Sequence, residues 1–517
     1  MGPSTSLFVD PPSTRGNPVK RKIAVFLLFI SLFAQGALAQ KPAAALAKRP
    51  DYVVPFVSKT LPNGLEVIVL PDPSVPLVTV ELAVRNGSFT ESPEFHGLSH
   101  LYEHMFFKPN LARVLRQCDT ARLTTGPCSA ATSLRTKIGD LAYLEDADNV
   151  SVANGTTREE IVNYYYTTTK DYLPTAIRIV NDSVRFPTFN EEDFENEKKV
   201  VIGEIDRHEA NPFGYLDLAM KQKLFFKYPT RKDPAGTRES INTATLEKMR
   251  TIQSRYYVPN NAALVVTGDA KPEDVFRIAE QVMGNWERRA VDPFKEFPLV
   301  EHPPLPKSEA VIIERPADTL TSDAGGQNVF IEIGWHGPSI GKDDAATYAA
   351  DVFSYIITQP DSRFQRNLVD SGLAASVNFG YYTQRNVGPI QFVMTTSPEK
   401  TKAALAAAYK EIHAFTQPNY FTDEELEAAK TILENNDLFE REKASEYAHT
   451  LGFWWSSTGI DYFRSYHAKL RAVSRADIDR YIKTYIQGKN HVVVALMSAE
   501  AKKQAALTEA DLIGGSN

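Results

Sequence analysis

The amino-acid sequence predicts an α+β fold built as two homologous halves, and three observations carry that expectation. Strand and helix patterns follow one another in mixed order, without the strict alternation of a doubly wound sheet. Residues 286–308 are rich in proline and charge and lack a sustained period, as a linker between domains does. The order of elements before that stretch recurs after it. Each half should hold a mixed or antiparallel sheet with flanking helices.

With 517 residues, 43% hydrophobic and 23% charged, the chain is too long for a single core and too ordinary in composition for a disordered or disulfide-stapled one. A formal net charge of −7 offers no basic excess, which argues against nucleic acid as a partner.

Lys20, Arg21 and Lys22 precede an apolar run over residues 23–34, and Ala37-Leu38-Ala39 has the small-x-small form of a cleavage site. Residues 1–39 therefore read as a secretory signal peptide, and the product is expected to be periplasmic or secreted. The run is short for a membrane span, and no later stretch has eighteen consecutive apolar residues. No stable membrane insertion is expected after cleavage. Removal of four basic and one acidic side chain leaves the mature chain near −10.

Residues 40–50 read as a flexible leader to the first half, residues 51–285. Thr60-Leu61-Pro62-Asn63-Gly64 makes a turn into an alternating strand at 65–70, and a second strand follows at 77–84. Two strands around such a turn suggest antiparallel pairing. Helical patterns follow at about 93–108, 157–165, 171–185 and 190–209. Residues 246–267 read as helix, tyrosine, polar turn and apolar strand, and residues 478–497 repeat that order with Tyr485 answering Tyr257. Likewise the strand at 78–84 before Asn86-Gly87-Ser88 is answered by 329–335 before Gly337-Pro338-Ser339. The second half spans 309–517.

One helix carries the chemistry. Ser92 and Pro93 suit its start and Pro109 its stop, and along it stand His96, His100, Glu103 and His104. At 3.6 residues per turn His100 and His104 share a face, so both imidazoles reach one ion, and Glu103 borders that face. Zinc suits imidazole and carboxylate ligands, and a carboxylate beside it can take the proton of an attacking water. His100-Leu101-Tyr102-Glu103-His104 is H-x-x-E-H, the inverse of the commoner zinc motif. Two His four apart also occur on ordinary surface or core helices; what favours metal is the exported, well-capped context and a suitable carboxylate downstream. His96 lies a further turn back, away from Glu103, and is weighed against as a ligand.

The run from Gly97 to Lys108 resembles the active-site helix of the pitrilysin or insulinase-like zinc peptidases, and bacterial, mitochondrial-processing-peptidase-like subunits fit best. The resemblance extends over nearly all of residues 51–500. It implies a clamshell of two homologous halves, one Zn²⁺ per chain, and hydrolysis of unfolded peptides with Glu103 as base. The family takes its third ligand from the second of two Glu seven residues apart; here that implies Glu204 as ligand and Glu197 as its support, in a position to orient a ligand His. By residue type alone the same helix reads as a solvated acidic surface, since Glu191, Glu192, Asp193 and Glu195 crowd its start. Asn154-Gly155-Thr156-Thr157 resembles the family's edge segment, which implies Asn154, Gly155 and Thr157 as peptide-binding candidates, although a plain turn fits the letters as well.

Two departures from the family pattern matter. The gap between His104 and Glu204 is long, and the excess falls at residues 110–133, which hold both cysteines, Cys118 and Cys128. In an oxidising compartment these could close a small disulfide loop; a free buried pair is the alternative. In the second half, active members bring an Arg and a Tyr to the substrate, but this chain has Gly372-Leu373-Ala374-Ala375 with Val369 near the Arg position. Arg363, Arg366, Tyr381 and Tyr382 are present at the wrong spacing. The resemblance therefore implies the zinc-bearing subunit of a heterodimer whose homologous partner carries the Arg/Tyr pair, with a homodimer as the other arrangement. The second half has no metal motif of its own, since residues 343–357 form a core-like helix without His. A non-catalytic scaffold or assembly subunit is the contrasting function.

Overall fold

The computed structural model describes residues 52–138, 152–320 and 327–514. The expected signal peptide and leader lie outside them.

Eleven strands form two mixed sheets among the described residues. The first contains β1 (Val57–Thr60), β2 (Glu66–Pro71), β3 (Leu77–Val84), β4 (Val152–Thr157), β5 (Val162–Thr169) and β6 (Ala262–Gly268), in the order β1-β2-β6-β3-β5-β4. The second contains β7 (Glu309–Glu314), β8 (Val329–His336), β9 (Ser376–Tyr381), β10 (Pro389–Thr396) and β11 (Val492–Met497), in the order β7-β11-β8-β10-β9. Setting β1 aside, the two orders correspond strand for strand. Each has one parallel pair, β2 with β6 and β7 with β11, and antiparallel neighbours elsewhere. The repeated letters therefore reflect a repeated topology.

Two local expectations are corrected. The two strands expected to pair antiparallel, β2 and β3, are not neighbours: β6 lies between them, parallel to β2 and antiparallel to β3, and across the turn at Gly64 β2 pairs instead with β1, a strand the sequence did not predict. Residues 157–165 are not a helix but belong to the β4–β5 hairpin. The segment Val162–Thr169 is a run of aromatic and β-branched side chains, which fit a pleated surface better than a helix.

Six helices of the first half matter for the site: α1 (Leu98–Phe106), α2 (Leu111–Ala121), α3 (Ala131–Ile138), α4 (Leu173–Arg185), α5 (Glu191–Ala210) and α6 (Pro212–Leu224). The helix expected at 93–108 is divided. Ser92 and Pro93 open only a short 3-10 turn, and Gly97 then takes φ 79° before α1 begins. A side chain at Gly97 would meet Gly236 Cα at 2.6 Å, so glycine is needed there both for its backbone and for the close approach. The segment at 110–133 is helical. Asn110 caps α2, a 3-10 turn leads into α3, and Cys118 and Cys128 are joined as a disulfide with their Cα atoms 5.7 Å apart.

The central strands β2, β3, β6, β8 and β11 bury side chains on both faces because helices cover each sheet from two sides, whereas the edge strands β1 and β4 stay largely exposed. On one face of the first sheet, Val67, Val69, Val80 and Leu82 pack with Leu101 and Phe106 of α1 and with Ile177 of α4. On the other face, Ile68, Leu70, Ala83 and Val265 share a core with Ala448, Leu451 and Trp455 of the helix Ala444–Ser457 from the second half. The exchange is reciprocal: Leu216, Met220 and Leu224 of α6 pack with Phe330, Val494 and Leu496 of the second sheet. Residues 286–308 hold one short helix, Pro293–Glu296, pinned where Phe294 meets Phe89. Among the described residues no helix is long and apolar enough to cross a membrane.

Candidate metal centre

The buried stripe of α1, Leu98, Leu101, Tyr102, Met105 and Phe106, seats it on the sheet. That orientation leaves His100, Glu103 and His104 along its other side. Helix α5 is started by Asn190, whose side chain accepts from Glu192 N and Asp193 N, and its first-turn acids suit the positive end of the dipole. Phe194, Val201 and Ile205 anchor α5 in the same core, and seven residues bring Glu197 and Glu204 to one face.

The expected ligand atoms converge. His100 Nε2 and His104 Nε2 are 3.3 Å apart, and each lies 3.5 Å from Glu204 Oε2. Zinc bonds imidazole and carboxylate atoms at about 2.0–2.2 Å, so a tetrahedral set has edges of roughly 3.3–3.5 Å. The three side chains therefore fit one face of a zinc tetrahedron. They are the one group of three or more His, Cys, Asp or Glu so placed among the described residues.

Their electrostatics suit ligands. Burial, helped by the neighbouring His104, pushes the His100 imidazole down to about 4 and keeps it neutral. For His104 burial acts in the same direction but is outweighed by Glu204 and Glu197, so its affinity for a proton rises. Glu204 is lowered, chiefly by its hydrogen bond with His104. Glu197 stands behind His104: its Oε2 is 2.9 Å from Nδ1, which orients the ring and leaves Nε2 toward Glu204. Its other oxygen is held by Lys108.

Glu103 is only 8% exposed, and burial foremost raises its carboxyl to about 7. Thr157 Oγ1 donates to Glu103 Oε2 at 2.9 Å. A side chain at Gly155 would lie 2.7 Å from Glu103 Oε1, so the glycine makes room for the carboxylate. Both residues stand on β4, whose partner among the described strands is β5 alone; β4 is thus the edge of the sheet. Asn154, on the same strand, accepts from Gly155 N at 2.9 Å.

Other sequence candidates lie elsewhere. His96 pairs with Asp233 at 3.2 Å and is outside the cluster. In the second half Arg363 pairs with Glu411, Tyr381 donates to Pro338 O, and Tyr382 stacks on Phe453. Sequence reasoning missed three contributors. Glu91 accepts from Gly97 N and Ser99 N at 2.7 Å each and so caps α1. Lys108 stands just past the end of α1 at Phe106 and reaches Glu197 from there, so helical spacing does not place it. The side-chain role of Thr157 had no local signal.

Two family models match this chain. The one described as Insulinase (Peptidase family M16) matches residues 66–133 and 132–233, which include the convergent side chains. The one described as Peptidase M16 inactive domain matches residues 243–433. Together they take in more than half of the chain, which belongs to peptidase family M16. It is 21% identical over 453 residues to Zinc protease PqqE of Helicobacter pylori, covering 86% of this chain and 94% of that one. The crystal structure of a protease from Helicobacter pylori superposes with a TM-score of 0.70 at 19% identity, covering 85% of this chain and 99% of that one. The periplasmic protease PqqL from Escherichia coli gives a TM-score of 0.63 at 15% identity, and 90% of this chain covers 50% of that one. These likenesses establish the two-half α+β fold.

Proposed function

We propose that this chain is an exported zinc-dependent endopeptidase acting on unfolded peptides. The observation that carries the reading is the triangle of His100, His104 and Glu204 atoms at zinc spacing with Glu103 beside it. An ion held by those three side chains would supply Lewis acidity, acidifying water and polarising the scissile carbonyl. Thr157 holds one oxygen of Glu103, leaving Oε1 to accept a proton from the attacking water and return it to the departing amine. A peptide added as a strand along the edge of β4, at Asn154, Gly155 and Thr157, would pass directly by that carboxylate.

A homologous partner subunit is part of the proposal. The second half offers no Arg and Tyr at the family spacing, and 90% of this chain covers only 50% of PqqL. Export is supported by residues 1–39 and by the Cys118–Cys128 disulfide, which suits an oxidising compartment. The match to an inactive-domain model favours, as a second reading, a non-catalytic assembly subunit.

Glu103→Gln separates the two. It should leave zinc bound and reduce cleavage of a quenched peptide, measured with the partner present, by about 10²–10⁴-fold. Undiminished turnover would remove Glu103 as base, and a wild-type chain that neither binds zinc nor cleaves would favour the assembly role.

A further inference from the structure

The turn joining β9 to β10, residues 382–388, is inserted between two parts of the first half. On one side lies Glu160, in the β4–β5 turn three residues after Thr157. Its carboxylate accepts from Arg385 N at 2.8 Å, Asn386 N at 2.9 Å and Asn386 Nδ2 at 3.2 Å. On the other lies Lys232, whose ammonium donates to Gln384 Oε1, to Asn386 O at 2.7 Å and to Val387 O at 2.9 Å. Glu160 is 4% exposed and Lys232 5%. Charges so deeply removed from water are costly unless their hydrogen bonds are satisfied, and this one turn satisfies both.

The turn is itself strained. Val387, a β-branched residue, has φ 55°, and its N–H donates to Ser339 Oγ at 3.0 Å. Such a conformation persists only where its surroundings hold it. Burial lowers Lys232 to about 8 and raises Glu160, which is the cost of keeping two ions there.

Both contacts lead to the metal centre. Glu160 fixes the turn from which β4 presents Thr157 to Glu103. Lys232 precedes Asp233, which binds His96, and the same loop brings Gly236 against Gly97 at the start of α1. The hairpin turns that join corresponding strands of the two sheets thus meet at one joint.

We propose that the second half controls the metal centre through this joint, with Glu160 and Lys232 as positioning residues, the first for Thr157 and Glu103 and the second for the start of α1. The proposal rests on reading the centre as a zinc-peptidase site.

The test is the double variant Glu160→Gln/Lys232→Met, in which both charges leave together, compared with wild type in the full chain with its partner. Two readouts are taken: kcat and KM on a quenched peptide, and amide hydrogen exchange at β4 and α1 with β11 as reference. We expect kcat to fall about 10-fold with KM little changed, the lower end of what outer partners of a metal site contribute. Exchange should quicken at β4 and α1 and not at β11. A folded double variant with wild-type kcat and wild-type exchange at β4 and α1 overturns the proposal. Should the double variant fail to fold, Gln384→Ala removes one Lys232 acceptor from the second half alone. It should quicken exchange at α1, and unchanged exchange there overturns the proposal as well. A wild-type chain without zinc or turnover would defeat the peptidase reading instead, while the exchange experiment would still decide whether the joint holds β4 and α1.

Discussion

Glu103 illustrates how much of this centre depends on single atoms of neighbouring residues. Its carboxylate is held on one side by Thr157 and given room on the other by the absence of a side chain at Gly155. Gly155→Ala should therefore push the carboxylate aside while leaving His100, His104 and Glu204 in place. Steady-state kinetics on a peptide should show kcat lowered by up to about 100-fold, the scale of a misplaced reacting group, with zinc content unchanged. A wild-type kcat would mean that the carboxylate has freedom the packing does not suggest. His100, Glu103 and His104 were readable in advance because their spacing lies within one helix, where 3.6 residues per turn fixes which side chains share a face. Thr157 and Gly155 were named only as peptide contacts. Their approach to Glu103 depends on where an edge strand lands against a helix, and no local period encodes that.

At the scale of elements, the same division recurs. The extent of α5 was readable from its helical pattern at about 190–209, and the helix lies where expected, although its buried stripe and its cap at Asn190 were not singled out. The start of α1 was not readable, because Gly97 is left-handed in answer to Gly236, far away in sequence. Residues 157–165 were misassigned because a helical period was credited over the β-branched and aromatic content of Val162–Thr169. The packing of α6 on the second sheet makes a separate prediction. Glu332 on β8 accepts from Gln391 at 2.6 Å, and burial, with Asp217 nearby, raises its carboxyl from 4.5 to about 8. Between those values the folded chain holds a proton that the unfolded chain has released. The stability this group contributes is thus full below about pH 4.5 and lost as pH rises through 8. Glu332→Gln should flatten that decline and at pH 8 stabilise the protein by roughly 1–3 kcal/mol, as read by denaturant unfolding across pH. Parallel pH profiles for variant and wild type would show that Glu332 is ionised in the fold.

For the molecule as a whole, the two halves are neither independent nor equivalent. They repeat one strand order, yet each lends a helix to cover the other's sheet, α6 in one direction and Ala444–Ser457 in the other. The repeat was visible in the sequence because each half conserves the order helix, turn and apolar strand that builds its parallel pair. The exchange of helices was not, since an apolar stripe does not say which sheet it will cover. Among the described residues the one cluster of side chains able to hold a metal lies in the first half. The central claim is that His100, His104 and Glu204 hold zinc, and metal analysis tests it most directly. Protein purified without chelators and dialysed against trace zinc should contain one equivalent per chain, and Glu204→Gln should lose most of it. A wild-type chain without zinc, or a variant that retains a full equivalent, would contradict the claim.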